Sequence, residues 1–516
     1  MLHLALIFHM HQPYYKNLLT NVTDVPWVRF HGTKDYLDMV QKAENFPGLR
    51  LTFNLVPSLM EQIEDYNNNL VKDKFLELSY KPVAKLSDEE KWFIRENFFM
   101  INKDSVISRH PRYYELFFKK QTGKDFADQD ILDLQVWFNL AWIDPLFREN
   151  IPVLNRVVKK ARFFTEKDKQ TVLDAQLDIL RQILPEYKKM VTNGHIEVTV
   201  SPYCHPILPL LYKTTIAKEA NRRVSLPNIE FSYPADAKAQ IKEAIRLYKS
   251  IFGDIPTGMW PSEEAVSEHV VPLFIQSGIK WIVADEAILF KSLKSKKRDT
   301  KILYQPHLLK RKDGEVAIVF RDRNLSDLIG FSYFNWRAED AVNNFMGHLE
   351  NISKAFKGDD TLVTVAMDGE NAWEYFSNDG HDFLDLLYRR LSESTFVKTV
   401  TLKEYLETHR PKHDIKRLAA GSWIYAEFAK WIGNPYKNKA WEYLTEARRV
   451  LEECKHSIPN PELAFKQMYI AEGSDWFWWY GDNQADFDRL FRMHLSNLYT
   501  LMQKPVPEYL KYPLNP

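Results

Sequence analysis

Cysteine is nearly absent from this chain of 516 residues, which has only Cys204 and Cys454. Two thiols so far apart cannot make a disulfide framework and lack the spacing of a zinc site, so a reducing interior is expected. Net charge is also absent, because Lys plus Arg and Asp plus Glu both number 69. That balance removes the electrostatic case for nucleic acid or an anionic membrane as partner. No run reaches the ~18 apolar residues of a membrane span. The opening Met1–Met10 has no basic leader and is interrupted by His3 and His9, so it reads as a strand and not a signal peptide. A soluble, cytoplasmic protein is the expectation. GxGxxG, Walker A, HExxH, CxxC and GxSxG patterns are missing too, which weakens nucleotide-binding, zinc-protease and serine-hydrolase readings.

What the chain does have is aromatic rings, 14% of its residues, including 14 Trp and 25 Tyr. They serve either as core or as stacking surfaces for ring-shaped ligands. With 45% hydrophobic residues the chain can bury a large core, and its length allows about three ordinary domains.

Strand-like runs occur at residues 3–8, 49–56, 195–200, 280–285, 316–320, 361–367 and 396–400. Several end in polar or acidic residues: His9 and His11 with Gln12, then Asp285-Glu286, Arg321-Asp322, and Asp368-Gly-Glu370. The run Thr361–Met367 lacks polar alternation, as suits a parallel strand covered on both faces. Carboxylates just past such a strand lie where α/β barrels and open sheets put their sites, although Asp368 could equally cap a helix. Between residues 58 and 193 the apolar positions recur at helical spacing, as in Leu173, Leu177, Leu180 and Leu184, which predicts a helical insertion. Its Trp137–Pro145 segment either overhangs a cleft or joins the core. A helical C-terminal domain follows from about 406 to 516. Within it, Ser474-Asp-Trp476-Phe-Trp478-Trp479-Tyr-Gly-Asp482-Asn483 is costly to expose and hard to bury with every polar tip satisfied, which suggests a ligand-facing surface. Strands separated by helices suggest a (β/α) barrel of seven or eight strands, with a doubly wound open sheet as competitor.

Paired carboxylates with stacking aromatics are the inventory of glycoside hydrolysis. Five segments, in order along the chain, resemble glycoside hydrolase family 57: His9-Met-His11-Gln12-Pro13, Gly194-His-Ile-Glu197, Trp260-Pro-Ser-Glu263, Met367-Asp368-Gly-Glu370-Asn-Ala-Trp373, and Trp476–Asn483. The family comprises α-glucan-active amylases, amylopullulanases, branching enzymes and 4-α-glucanotransferases. The resemblance implies an α/β fold, an incomplete (β/α)7 TIM-like barrel over residues 1–405. It also implies the helical insertion at 58–193 and a C-terminal helical domain at 406–516 contributing aromatics to the cleft. By the same resemblance Glu263 is the nucleophile and Asp368 the general acid/base of a retaining mechanism. His11 contacts the glucose at the cleaved bond, with His9, His205 and Trp260 nearby. Gln12, Glu370, Trp373, Trp476, Trp478, Trp479 and Asp482 are expected to bind substrate. Glu197 either lines the site or is a structural strand glutamate, and Glu264 is second to Glu263.

The motif wording is similar to the amylopullulanase and α-amylase branch, so α-1,4 cleavage, with α-1,6 also open, is expected on starch- or glycogen-type glucans and maltooligosaccharides. No metal or cofactor is expected. A transferase or branching activity on the same fold is the alternative. Rivals from other classes are a metal-dependent deacetylase or mannosidase-like enzyme using His9, His11 and Asp368, and a glucan-binding protein without chemistry. The mechanism requires Glu263 ionised, Asp368 protonated, and the two carboxyls about 5–5.5 Å apart.

Overall fold

The computed structural model describes residues 1–370, 373–482 and 485–514. Asn371, Ala372 and Asn483 of the quoted motifs lie outside the described residues. Seven strands form the central ring: β1 (Leu2–Met10), β2 (Leu51–Leu55), β3 (Ile196–Thr199), β4 (Gly258–Met259), β5 (Trp281–Asp285), β6 (Gly314–Arg321) and β7 (Thr361–Asp368). All neighbouring pairs around it are parallel, in the order β7-β1-β2-β3 and β4-β5-β6. Two weak seams join the arcs. Residue pairing is confined to Thr364 with Arg321 between β6 and β7, and to a single Val200–Met259 bridge between β3 and β4. The barrel is therefore nearly closed. A short strand, Val397–Thr399, runs beside the start of β1, and His307–Arg311 folds back antiparallel on β6.

Side-chain alternation divides the strands between two cores. Ala5, Ile7, Trp281, Val283, Ala317, Val319, Leu362 and Ala366 fill the ring, closed below by Leu402 and Tyr405. Their sequence neighbours, such as Leu4, Leu6, Phe8, Ile282, Phe320 and Val365, face the helices outside. The unbroken apolar run of β7 serves both sides. Small residues predominate inside, and the large Trp281 is admitted because β4 offers Gly258 opposite it. A Cβ at Gly258 would stand 1.9 Å from the Trp281 ring.

The region between β2 and β3 is largely helical and ends in the 27-residue helix Glu166–Thr192, started by a Thr165/Asp168 capping box. Trp137 and Trp142 are both buried in that layer. Beyond the barrel, helices Pro435–Cys454, Pro461–Ala471, Ser474–Trp479 and Ala485–Leu501 share the outer core with the barrel strands. They are tied in by the Arg448–Asp236 ion pair at 2.6 Å and by His494 Nε2 against the Tyr14 carbonyl at 2.9 Å. Among the described residues no helix is long and apolar enough to cross a membrane.

Candidate active site

The register of the parallel strands collects the site. His9 on β1 pairs with Asp368 at the end of β7 and with Asn54 on β2. Asn54 in turn pairs with Thr199 on β3. Inward-facing positions at the carboxyl ends of the strands thus carry polar groups, directly above the apolar filling. Asn54 Oδ1 accepts from His9 Nδ1 at 2.6 Å and from the Ser201 hydroxyl at 3.0 Å. With the ring proton on Nδ1, His9 Nε2 is left as an acceptor.

Three imidazoles stack over this rim. His9 lies 4.9 Å from His205 and 4.9 Å from the Trp260 ring, and His11 lies 4.0 Å from His205. Burial, reinforced by neighbouring imidazole charge, pushes His9 down to about 3 and His205 well below its ordinary value. Both are neutral at physiological pH. His205 has a left-handed backbone, φ 55°, and its Nδ1 meets the Ser474 hydroxyl at 3.0 Å. His11 Nε2 donates to Asp475 at 2.9 Å. Among the described residues His11 Nδ1, His205 Nε2 and Trp260 Nε1 have no hydrogen-bond partner. Unpaired buried polar atoms cost about 1–3 kcal/mol each.

Opposite the imidazoles, Glu263 and Glu264 both adopt left-handed φ, 58° and 51°. Two such residues in succession are strained and turn adjacent side chains to different places. Glu263, 13% exposed, faces the mouth. Its Oε2 accepts from Trp423 Nε1 at 2.8 Å, its carbonyl accepts from the Trp423 N–H at 3.1 Å, and its Oε1 is 3.9 Å from His205 Nδ1. Arg321 lies over the Trp423 ring at 5.3 Å. Burial, then the charge of Asp368, raises Glu263 to about 8; Trp423 opposes this and Asp475 adds to it. This differs from the expectation of a Glu263 that is readily ionised. One indole donor does not offset desolvation plus a facing carboxylate. Glu264 is fully buried beside the Arg321, Asp285 and Arg323 charges, and among the described residues neither carboxyl oxygen has a hydrogen-bond partner, so burial raises it strongly.

Other expected site residues fall elsewhere. Glu197 points into the ring, and its oxygens accept from Trp281 Nε1 and the Lys403 N–H, both at 2.9 Å. It is a floor residue of the barrel, held at about 7 by burial. Glu370 is buried, and its Oε1 accepts from the His11 N–H at 3.1 Å and from the Tyr36 hydroxyl at 3.4 Å. Gln12 reaches the same oxygen at 3.5 Å. Both position the histidine segment from behind. Trp373 packs outside the ring against Phe8 and Phe376, with its N–H on the Gly369 carbonyl at 2.6 Å.

Trp476 is also core: it is 1% exposed, and its N–H donates to the Ile470 carbonyl at 2.8 Å. Trp478 and Asp482 gather around Lys430, at 4.6 and 3.0 Å, while Trp479 packs on Phe487 at 5.3 Å. The aromatic run contacts the barrel mouth through Ser474 and Asp475. Sequence reasoning included both in the ligand-facing run without singling them out, and it passed over Trp423 and Asn54. For Trp423 there was no signal beyond being one of 14.

A family model described as glycosyl hydrolase family 57 matches residues 5–417. Alpha-amylase 1 of Dictyoglomus thermophilum is 25% identical over 304 residues, covering 57% of this chain and 37% of that protein. The chain thus aligns with well under half of that relative's length. Among solved structures, the GH57 branching enzyme of the archaeon Thermococcus kodakaraensis superposes with a TM-score of 0.62 at 15% identity, over 97% of this chain and 90% of that one. The α-amylase AmyC of Thermotoga maritima does so at 0.57 and 14%, over 97% and 96%.

Proposed function

The chain belongs to glycosyl hydrolase family 57, and from that premise we propose that it cleaves α-1,4-glucosidic bonds of starch- or glycogen-type glucans and maltooligosaccharides with retention of configuration. The observation that carries the reading is the electrostatic coupling of two carboxyls at the mouth, Glu263 raised to about 8 by burial and then by Asp368. Such a pair holds a single proton near neutrality, the state that acid catalysis with a carboxylate nucleophile requires. Glu263 attacks the anomeric carbon while Asp368 protonates the leaving glucosyl oxygen. Asp368 then takes a proton from water, whose oxygen displaces Glu263. Catalysis requires that the proton stand on Asp368 and that Glu263 be ionised when the glucosidic bond is bound.

His9, His11 and His205 bring ring nitrogens suited to sugar hydroxyls to this pair, while Trp260, fully buried, backs the His9 ring at 4.9 Å. Asp475 fixes the His11 tautomer, as an orienting carboxylate does for a catalytic imidazole. We read residues 1–405 as the catalytic unit, with 58–193 inserted in it, and 406–516 as the helical part that supplies Trp423, Ser474 and Asp475.

Incubation with maltoheptaose followed by proton NMR tests the reading. The first-formed reducing ends should be α, and shorter maltooligosaccharides should accumulate. Glu263→Gln and Asp368→Asn should each abolish most turnover. A β-anomer as first product, or retained activity in Glu263→Gln, refutes it. Products longer than the substrate would replace water by a sugar acceptor and make the enzyme a transferase.

A further inference from the structure

Behind the barrel mouth, three segments distant in sequence bring two aspartates and a histidine together. Asp38 lies on helix Leu37–Glu44, Asp144 caps helix Pro145–Asn150 of the insertion, and His381 begins helix His381–Ser392 after β7. All three are buried, at 3%, 0% and 5% exposure. One oxygen from each aspartate and one ring nitrogen of His381 lie within 4.8 Å of one another. His381 Nε2 stands 2.9 and 2.8 Å from the two oxygens of Asp144. Among the described residues, neither Asp38 Oδ1 nor the buried hydroxyl of Tyr388 has a hydrogen-bond partner.

The surrounding charges compensate the two aspartates unequally. Asp38 faces Asp144, Asp35 and Asp379 with only His381 opposing them, whereas Asp144 faces Asp379 but also Lys34 and Arg148. Of the fixed cations, Lys34 is engaged by Asp35 at 2.7 Å and Asp379 at 2.6 Å, Arg148 contacts His110 at 3.1 Å, and Lys42 pairs with Asp385 at 2.7 Å. A buried carboxylate in such company needs either a proton or a cation.

We propose that Asp38, Asp144 and His381 bind one divalent cation of zinc-like chemistry. An imidazole nitrogen with two carboxylate oxygens suits Zn2+. Ca2+ and Mg2+ are disfavoured, because Ca2+ seeks six to eight oxygens and Mg2+ an octahedral oxygen shell. The cation would join the helix after β1, the insertion and the segment after β7 at one point. Tyr36, next to this helix, hydrogen-bonds Glu370, so the clamp would stiffen the wall that holds His11. Its role is structural, and it stabilises the fold by binding only the folded state.

Chelator-treated protein dialysed against Zn2+ should take up one Zn2+ per chain by mass spectrometry, and its thermal midpoint should rise by roughly 3–5 °C. Asp38→Asn and His381→Gln should each lose both effects. His205→Gln should keep them, which separates this cluster from the His11, His205 and Asp475 group at the mouth. If either variant fails to fold, anomalous scattering from Zn2+-soaked wild-type crystals decides, with a peak expected between the three side chains. No uptake by wild type, unchanged uptake in folded variants, a peak elsewhere only, or stabilisation by Ca2+ with Zn2+ inert would each overturn the assignment.

Discussion

Replacing Asp368 by Asn removes the charge that faces Glu263 and should lower the pH at which Glu263 ionises. Glu263 is raised to about 8, with burial the largest cause and Asp368 the next. That is roughly 3.5 pH units above an ordinary glutamate. Removing a like charge beside a buried carboxyl lowers its titration by on the order of one pH unit, or about 1.4 kcal/mol. The measurement uses an aryl α-maltoside with a dinitrophenyl leaving group, whose departure needs no acid, so that kcat/KM reports ionisation of Glu263 in the free enzyme. In wild type the rate should climb with pH through about 8. In Asp368→Asn the midpoint should fall to about 7, raising the reactive fraction at pH 7 about fivefold. A midpoint that stays or rises would show that burial alone sets the Glu263 pKa, and the coupled-pair argument would fail.

The same shift predicts stability. Glu263 titrates higher in the folded chain, so the fold binds the proton more tightly and stability is lost as pH rises from about 4.5 to about 8. Glu263→Gln should therefore gain stability relative to wild type as pH rises, by about 4 kcal/mol on going from about pH 5 to about pH 9. Parallel thermal-midpoint profiles for the two proteins would contradict this. Trp423→Phe keeps the ring under Arg321 but deletes the donor to Glu263. At neutral pH kcat/KM should drop about 10–100-fold, with the activity profile displaced to higher pH. Gly258→Ala drives a methyl into the Trp281 ring. The cost should be about 1–3 kcal/mol in urea unfolding, accompanied by a changed near-ultraviolet circular dichroism band for Trp281.

Much of the barrel is legible because its signals are local. Six of the seven ring strands arise from apolar runs that need only the pleat and the burial of both faces to become parallel strands, whereas β4 is too short to leave such a run, and the run at 396–400 becomes the short strand beside β1. The acidic turn after β7 and the Trp-x-x-Glu segment likewise lie within a few residues of the strand ends that present them. The aromatic run at 476–480 divides for a physical reason. A helix of consecutive rings gives its apolar bodies to the nearest core, and here Trp476 and Phe477 fill it while the polar neighbour Asp475 is left for the cleft. Of the two readings open for Glu197, the sequence could not choose, because strand alternation that points a side chain inward does not tell at which height of the barrel it enters.

The sequence alone determined most of the strands and the helical spans, since each depends on residues close together in the chain, while the choice of Glu263 and Asp368 rested on the family resemblance. Only the tertiary structure decided that Glu263 leans on Trp423, that His11 leans on Asp475, and that Asp38, Asp144 and His381 meet. Those pairings join residues 106 to 464 positions apart, and no local propensity encodes them. They follow from how helices close over a barrel whose register was set first.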